Sequence, residues 1–168
     1  MQQNLNGIDI DVSAGYKFIL IMKTITNIAG GLAGAVALNI LHESVRRIDH
    51  KSPRIDLVGE EALTKIIKSI GVEPPKGNKL YAATLAGDVV SNALYYSMIG
   101  VGKKNTLLLR GAAYGLAAGI GALALTKPMG LSDAPITKTT ETKVLTVAWY
   151  LFGGLVTAFA IKSLQKKQ

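Results

Sequence analysis

The chain contains no cysteine, which excludes disulfides, thiolate metal sites and thiol nucleophiles. It contains two histidines, leaving no room for a His-rich zinc or haem centre. No cofactor and no metal site is expected, and no catalytic residue can be assigned. Acid is scarce: 19 Lys and Arg stand against 11 Asp and Glu, for a net charge of +8 and a pI near 9.7. In a soluble protein that excess would point to nucleic acid. Here the basic residues cluster beside apolar stretches, where they set topology and meet anionic headgroups, so no nucleic-acid partner is expected. The long Ala/Gly/Leu runs also lack a polar stripe, which argues against the surface helices of a soluble all-α domain.

What is present is apolar sequence of membrane-spanning length. Hydrophobic residues make up 49% of the 168, and mean hydropathy is +0.31. Four stretches, residues 25–45, 80–101, 106–126 and 144–164, each supply the roughly 20 helical residues that cross a hydrocarbon core about 30 Å thick. The sequence therefore predicts one all-α unit over 22–168, a four-helix transmembrane bundle in a lipid bilayer. Residues 1–21 differ. They mix polar residues with a short apolar patch and lack the basic start and small-residue cleavage site of a signal peptide. They read as a weakly ordered leader or an over-called start, with Met22-Lys23-Thr24 as the alternative beginning. The basic excess of the first loop favours that loop inside, and the pairs Lys103-Lys104 and Lys166-Lys167 oppose it, so orientation stays open.

The connections carry their own patterns. In the longest, Leu63, Ile66, Ile67 and Ile70 fall at i, i+3, i+4 and i+7, with Lys65 and Lys68 on the other face. Asp56 is placed to cap this amphipathic helix, and Gly71 followed by Pro74-Pro75 to end it. Such a helix lies on the membrane surface or covers the end of the bundle. A tight link, Gly100-Val101-Gly102-Lys103-Lys104-Asn105, makes the second and third stretches antiparallel neighbours. The last connection, 127–143, holds Pro128, Pro135 and many Thr residues and reads as an exposed irregular loop.

Small residues and polar residues are spaced for helix contacts. Gly111, Gly115 and Gly119 form two overlapping GxxxG steps, Gly30 and Gly34 repeat the device, and Gly153-Gly154 add to it. Without side chains, helix backbones can approach closely in lipid. These faces suit internal packing first, and second an oligomer seam with another copy or another membrane protein. In the first stretch Asn39, His42, Glu43 and Arg46 form one stripe, and in the second Asp88, Ser91, Asn92 and Tyr95 form another. Asp88 lies about 12 Å and Asn39 about 9 Å inward from the long-loop end, so the stripes can meet. Arg46, Arg47 and Arg54 stand at headgroup level as anchors. Arg110, near the opposite end, can snorkel outward or reach towards Asn92 or Asp88. Trp149 and Tyr150 read as packing residues, and Tyr81 as an interfacial one.

Three readings of the polar residues stay open. The first is hydrogen-bonding glue that fixes helix register. The second is an ion, proton or small-solute site, with Asp88, Glu43 and Asn39 working in an oligomer. The third is a membrane-embedded lipid-modifying enzyme, with Glu43 or Asp88 as acid or base and Arg46-Arg47 holding a lipid phosphate. Familiar motifs fail: Arg46 stands where a zinc-protease helix needs its second histidine. Around Gly102-Lys103, Ser97 and Lys104 occupy positions that a phosphate-binding loop gives to Gly and to Ser or Thr. The runs Leu41-His42-Glu43-Ser44-Val45-Arg46-Arg47, Pro53-Arg54-Ile55-Asp56-Leu57 and Leu85-Ala86-Gly87-Asp88 resemble a group of small bacterial inner-membrane proteins with four spans. The likeness covers about residues 31–159. It implies a bacterial membrane setting and a four-helix architecture, and no activity. The role expected is that of a non-enzymatic accessory or interaction component.

Overall fold

Pro53, Pro74, Pro75 and Pro128 lie in connections, and Pro135 opens a four-residue helix in its first turn, where a missing N–H costs little. The segments between them close their backbone hydrogen bonds internally. In the computed structural model, which describes residues 12–166, they are all helical, with no strand among the described residues. The helices are α1 (Val12–Val45), α2 (Ile55–Ser69), α3 (Asn78–Ser97), α4 (Leu107–Leu125), α5 (Ala134–Thr137) and α6 (Thr140–Gln165). Short 3-10 turns, Met98–Gly100 and Lys104–Thr106, link α3 to α4.

Three segments are long and apolar enough to cross a membrane: Gly15–Val45, Lys104–Leu125 and Thr140–Gln165. Three such helices fit an integral membrane protein. α3, expected as a fourth span, falls short of that hydropathy because Asn78, Lys79, Asp88, Ser91 and Asn92 dilute its apolar residues. Ile25, Ile28, Leu32 and Ile40 of α1 are exposed, as are Leu109 and Ile120 of α4, giving an apolar outer surface of the kind lipid covers. With 34 residues α1 is about 51 Å long, more than a bilayer core. It starts at Val12, so residues 12–21 continue the first helix, and residues 1–11 of the expected leader lie outside the described residues.

The long helices assemble in the order α3, α1, α6, α4. Glycine sets the closest approaches. A Cβ on Gly115 would stand 2.7 Å from Leu151 Cα, and one on Gly119 2.6 Å from Val147 Cα. One on Gly34 would strike the Thr157 hydroxyl, and one on Gly30 the side chain of Ile161. The glycine rows of α1 and α4 therefore both face α6. α3 and α4, expected to pack together because their link is short, instead take α1 and α6 as main partners. They touch at Tyr95, whose hydroxyl donates to the Tyr114 carbonyl at 3.0 Å and whose ring lies 5.5 Å from that of Tyr114. A short link fixes direction, whereas the glycine row of α4 decides the partner, and two tyrosines hold α3 off. Leu38, Tyr96, Ile99, Leu107, Trp149 and Ile161 form the core, with the Tyr96 hydroxyl donating to the Tyr150 carbonyl at 2.8 Å.

α2 packs on α3 and α5 and has no buried residue. Asp56 does not cap it: Arg54 is the cap residue, no side chain caps the amides, and Asp56 sits in the first turn. The other end closes through Gly71 at φ 76°, where the N–H groups of Gly71 and Val72 reach the Lys68 and Ile67 carbonyls at 3.0 and 3.2 Å. The last connection is not a loose loop. The Ser132 N–H donates to Glu61 at 2.8 Å, Lys65 donates to the Gly130 carbonyl, and the Arg54 N–H donates to the Pro135 carbonyl at 3.0 Å. Ile136 of α5 is fully buried, and Thr139 caps α6 by accepting from the Thr142 N–H at 3.1 Å. The two long connections satisfy each other's polar groups.

Gly115→Leu is expected to cost roughly 1–3 kcal/mol, because the new side chain forces α4 off α6. Gly87→Ala, on a helix face with no atom within 4 Å of the added Cβ, is expected to be neutral or stabilising. Denaturation of both variants in detergent micelles checks the contrast.

Candidate functional site

Because α1 and α3 lie side by side, their polar stripes meet. Asp88, the middle residue of α3, accepts from Asn39 Nδ2 at 2.8 Å through one carboxylate oxygen. Its other oxygen accepts from Asn92 Nδ2 at 2.9 Å, one turn along the same helix. Asn39 Nδ2 also donates to the Ala35 carbonyl at 3.0 Å, which fixes the amide's direction. Ser91 donates to the Asp88 carbonyl at 3.1 Å. Two of the stripe's expected neighbours are elsewhere. Tyr95 turns to α4, and Arg110 donates to the Ile99 and Lys103 carbonyls at 2.8 and 2.9 Å, tying down the α3–α4 link rather than reaching Asp88 or Asn92.

One helical turn beyond Asn39, a chain of charges begins. Glu43 pairs with Arg46 at 2.8 Å and with Arg47 at 3.7 Å. Arg46 also reaches Asp56 at 2.8 Å, and Arg54 holds the same carboxylate in a fork, Nη2 to Oδ2 at 2.6 Å and Nε to Oδ1 at 2.8 Å. The Arg46 guanidinium lies 5.2 Å from the centre of the Tyr81 ring and donates to its hydroxyl at 3.3 Å. Tyr81 is thus a partner of arginine rather than only an interfacial ring. Burial pushes the Asp56 carboxyl up, but the hydrogen bond from Arg54 and the charges of Arg54 and Arg46 outweigh it and hold the carboxyl below its ordinary 3.8.

Both clusters border one cavity of about 330 Å³ between α1, α2 and α3. Its polar lining includes Asn39, His42, Glu43, Arg46, Asp56 and Asp88, and its apolar lining includes Leu63, Ile66, Ala83 and Leu85. His42 packs at a tilt of 50° against Trp149 with ring centres 4.6 Å apart and meets Tyr150 edge-on at 6.3 Å. Its Nε2 is buried without a hydrogen-bond partner, as are Arg46 Nε and Thr84 Oγ1 at the same cavity. Thr84 was not legible as a site residue. The signal that could have found it is its place one turn before Asp88 on the same helix face. Among the described residues no group of three His, Asp or Glu side chains stands ready to hold a metal.

What fold and site define is an all-helical chain with three helices of membrane-crossing character and a polar cluster between two of its packed helices. No protein-family model, curated protein or solved structure matches the chain.

Arg46 is the hub of the charge chain, so Arg46→Ala is expected to cost about 1–3 kcal/mol by leaving Glu43 and Asp56 short of partners. Arg47, 74% exposed, should tolerate the same change within about 0.5 kcal/mol. Thermal melts in detergent compare the two. The Asp56 carboxyl, held low in the folded state, contributes stability that is complete above its unfolded value and lost as pH falls through its folded one. The stability gap between wild type and Asp56→Asn should therefore be widest near neutral pH and should close only as pH falls below the lowered folded value of the Asp56 carboxyl.

Proposed function

We propose that the protein is a four-span integral membrane protein of a bacterial inner membrane that acts without catalysis, as an accessory or interaction component. In this reading α3 is the fourth span. Asp88, Asn39 and Asn92 bond to one another, and α2 lies at the headgroup level with its lysines towards water. The observation that carries the proposal is the near-saturation of the charged groups around the cavity, where Arg46 Nε is left without a partner. Glu43, Arg46, Asp56 and Arg54 neutralise one another in a chain, and both oxygens of Asp88 accept from amides. A lipid-modifying enzyme needs a cation free to hold phosphate and an acid or base free to move a proton. Arg46 is engaged on three sides, and Arg47 stands exposed. The same saturation weighs against a cation path, because a carboxylate held by two amide donors offers an ion little unshared coordination.

The outer surface supports an interaction role. Since the glycine rows are occupied inside the bundle, contacts with another copy or another membrane protein fall to the exposed apolar faces of α1 and α4. The exposed run Tyr16, Phe18, Ile19, Leu20 and Ile21 lengthens that face on α1.

Asp88→Asn separates this reading from permeation. The substitution keeps the shape, removes the charge and loses one accepted hydrogen bond, for an expected cost of about 1 kcal/mol or less. In vesicles loaded with a pH-sensitive dye, wild type and variant should both leak at the rate of empty vesicles. Proton or cation flux in wild type that stops in Asp88→Asn would overturn the proposal in favour of a conducting oligomer.

A further inference from the structure

The cavity between α1, α2 and α3 has an inventory that selects a ligand chemistry. We infer that it binds a single-tailed amphiphile with an uncharged, hydrogen-bonding headgroup of the hydroxyl or ester-carbonyl kind, a monoacylglycerol being the representative. The inference rests on the membrane setting proposed above and adds a ligand to it.

Size comes first. About 330 Å³ is ligand-sized, room for a small headgroup and the first part of a chain, and too little for a protein helix. The lining is mixed in polarity. Leu63 and Ile66 of α2 border it, and so do Ala83 and Leu85 of α3, yet α2 buries none of its residues and Ile66 is 61% exposed. A hydrocarbon chain laid along α2 covers what the protein leaves bare. Gly87 also borders the cavity, and no atom stands within 4 Å of where its Cβ would be, so this stretch of wall is open.

Charge and hydrogen bonding then choose the headgroup. Glu43, Arg46, Asp56 and Arg54 are ion-paired and both Asp88 oxygens are held by amides, so a charged head would meet groups already engaged. Two neutral buried atoms are unmatched, His42 Nε2 and the Thr84 hydroxyl, and so is the Arg46 Nε donor, all three on residues that line the cavity. A buried polar atom with no partner is costly, and a headgroup hydroxyl or ester carbonyl satisfies it without bringing charge. Thr84 donates and accepts, and a glycerol hydroxyl does the same, so one small head can serve both side chains.

The protein carries its own reporter. Trp149 is its single tryptophan, is buried, and lies 4.6 Å from the His42 ring that borders the cavity. The full chain is reconstituted in phosphatidylcholine vesicles and floated on a density gradient. The floated fraction is titrated with a monoacylglycerol whose acyl chain carries bromine, a short-range quencher of indole. Saturable quenching is expected for wild type. Gly87→Leu, which adds a side chain where the Cβ position is open, should bind about tenfold more weakly or not at all while melting no lower than wild type. Should that variant melt lower, Thr84→Val, which removes only the unpartnered hydroxyl, carries the same comparison and should also weaken binding. Brominated fatty acid and brominated alkylamine should quench only in proportion to their amount in the bilayer. Quenching by the monoacylglycerol that never saturates, or that is equal in wild type and both variants, overturns the site. Saturable binding of the charged chains at equal or higher affinity overturns the choice of headgroup. Failure of the protein to float would instead remove the membrane setting, a result visible before any ligand is added.

Discussion

Helices surrounded by lipid gain little by hiding apolar side chains from one another, so their association depends on how closely the backbones can come. In this protein that approach is set by glycine. Gly30 and Gly34 of α1 and Gly111, Gly115 and Gly119 of α4 all abut α6, at places where even one added carbon would collide with side chain or backbone. α6 thereby becomes the helix against which both partners are registered. Gly153 and Gly154 on its own surface admit Tyr96 from one side and the α4 backbone from the other. Once α1 is seated on α6, the opposite face of α1 is fixed in space, and with it the position of Asn39 relative to Asp88.

The two polar clusters then solve one problem in two ways. A carboxylate away from water needs donors or a counter-charge. Asp88, in the middle of α3, is given two neutral amides, one from its own helix and one from α1. Asp56, at the end of the bundle, is given two guanidinium groups. The first arrangement ties two helices at a common depth, and the second fastens the α1–α2 connection to the end of α1. Further bonds join Arg54, Glu61 and Lys65 to the α4–α6 connection, and the Lys51 carbonyl accepts from Thr142 in the first turn of α6, drawing both long connections together over the same end. The cavity is what remains between this cover and the α1–α3 pair. Its mixed lining follows from lying between a charged lid and an apolar bundle.

That position also explains why the site reads as one for binding rather than turnover. Groups that hold a cover in place must be matched with one another, and matched groups have little left with which to polarise or protonate a substrate. Of the unmatched atoms, His42 Nε2 and Thr84 Oγ1 are neutral hydrogen-bonding positions, and Arg46 Nε belongs to a guanidinium already paired with Glu43 and Asp56.

The sequence by itself determined what depends on neighbours along the chain. Apolar length and proline placement set the long helices, the i, i+3, i+4, i+7 spacing set α2, and Gly71 set its end. The four-residue rhythm of Asn39, His42, Glu43 and Arg46, and of Asp88 and Asn92, put each stripe on one face before any tertiary contact was known. Tertiary structure decided which faces meet. The short α3–α4 link implied a tight pair, but the glycine row of α4 goes to α6, and Tyr95 leaves the Asp88 stripe to follow α4. Asp56 had the position of a helix cap and became an arginine partner, because Arg46 is a whole connection away in sequence and adjacent in space. Arg110 had the reach for Asp88 and satisfies nearer carbonyls instead. Local periodicity fixes which side of a helix a residue occupies. The choice among partners is a competition between faces far apart in the chain, and here the closest backbone approach prevails.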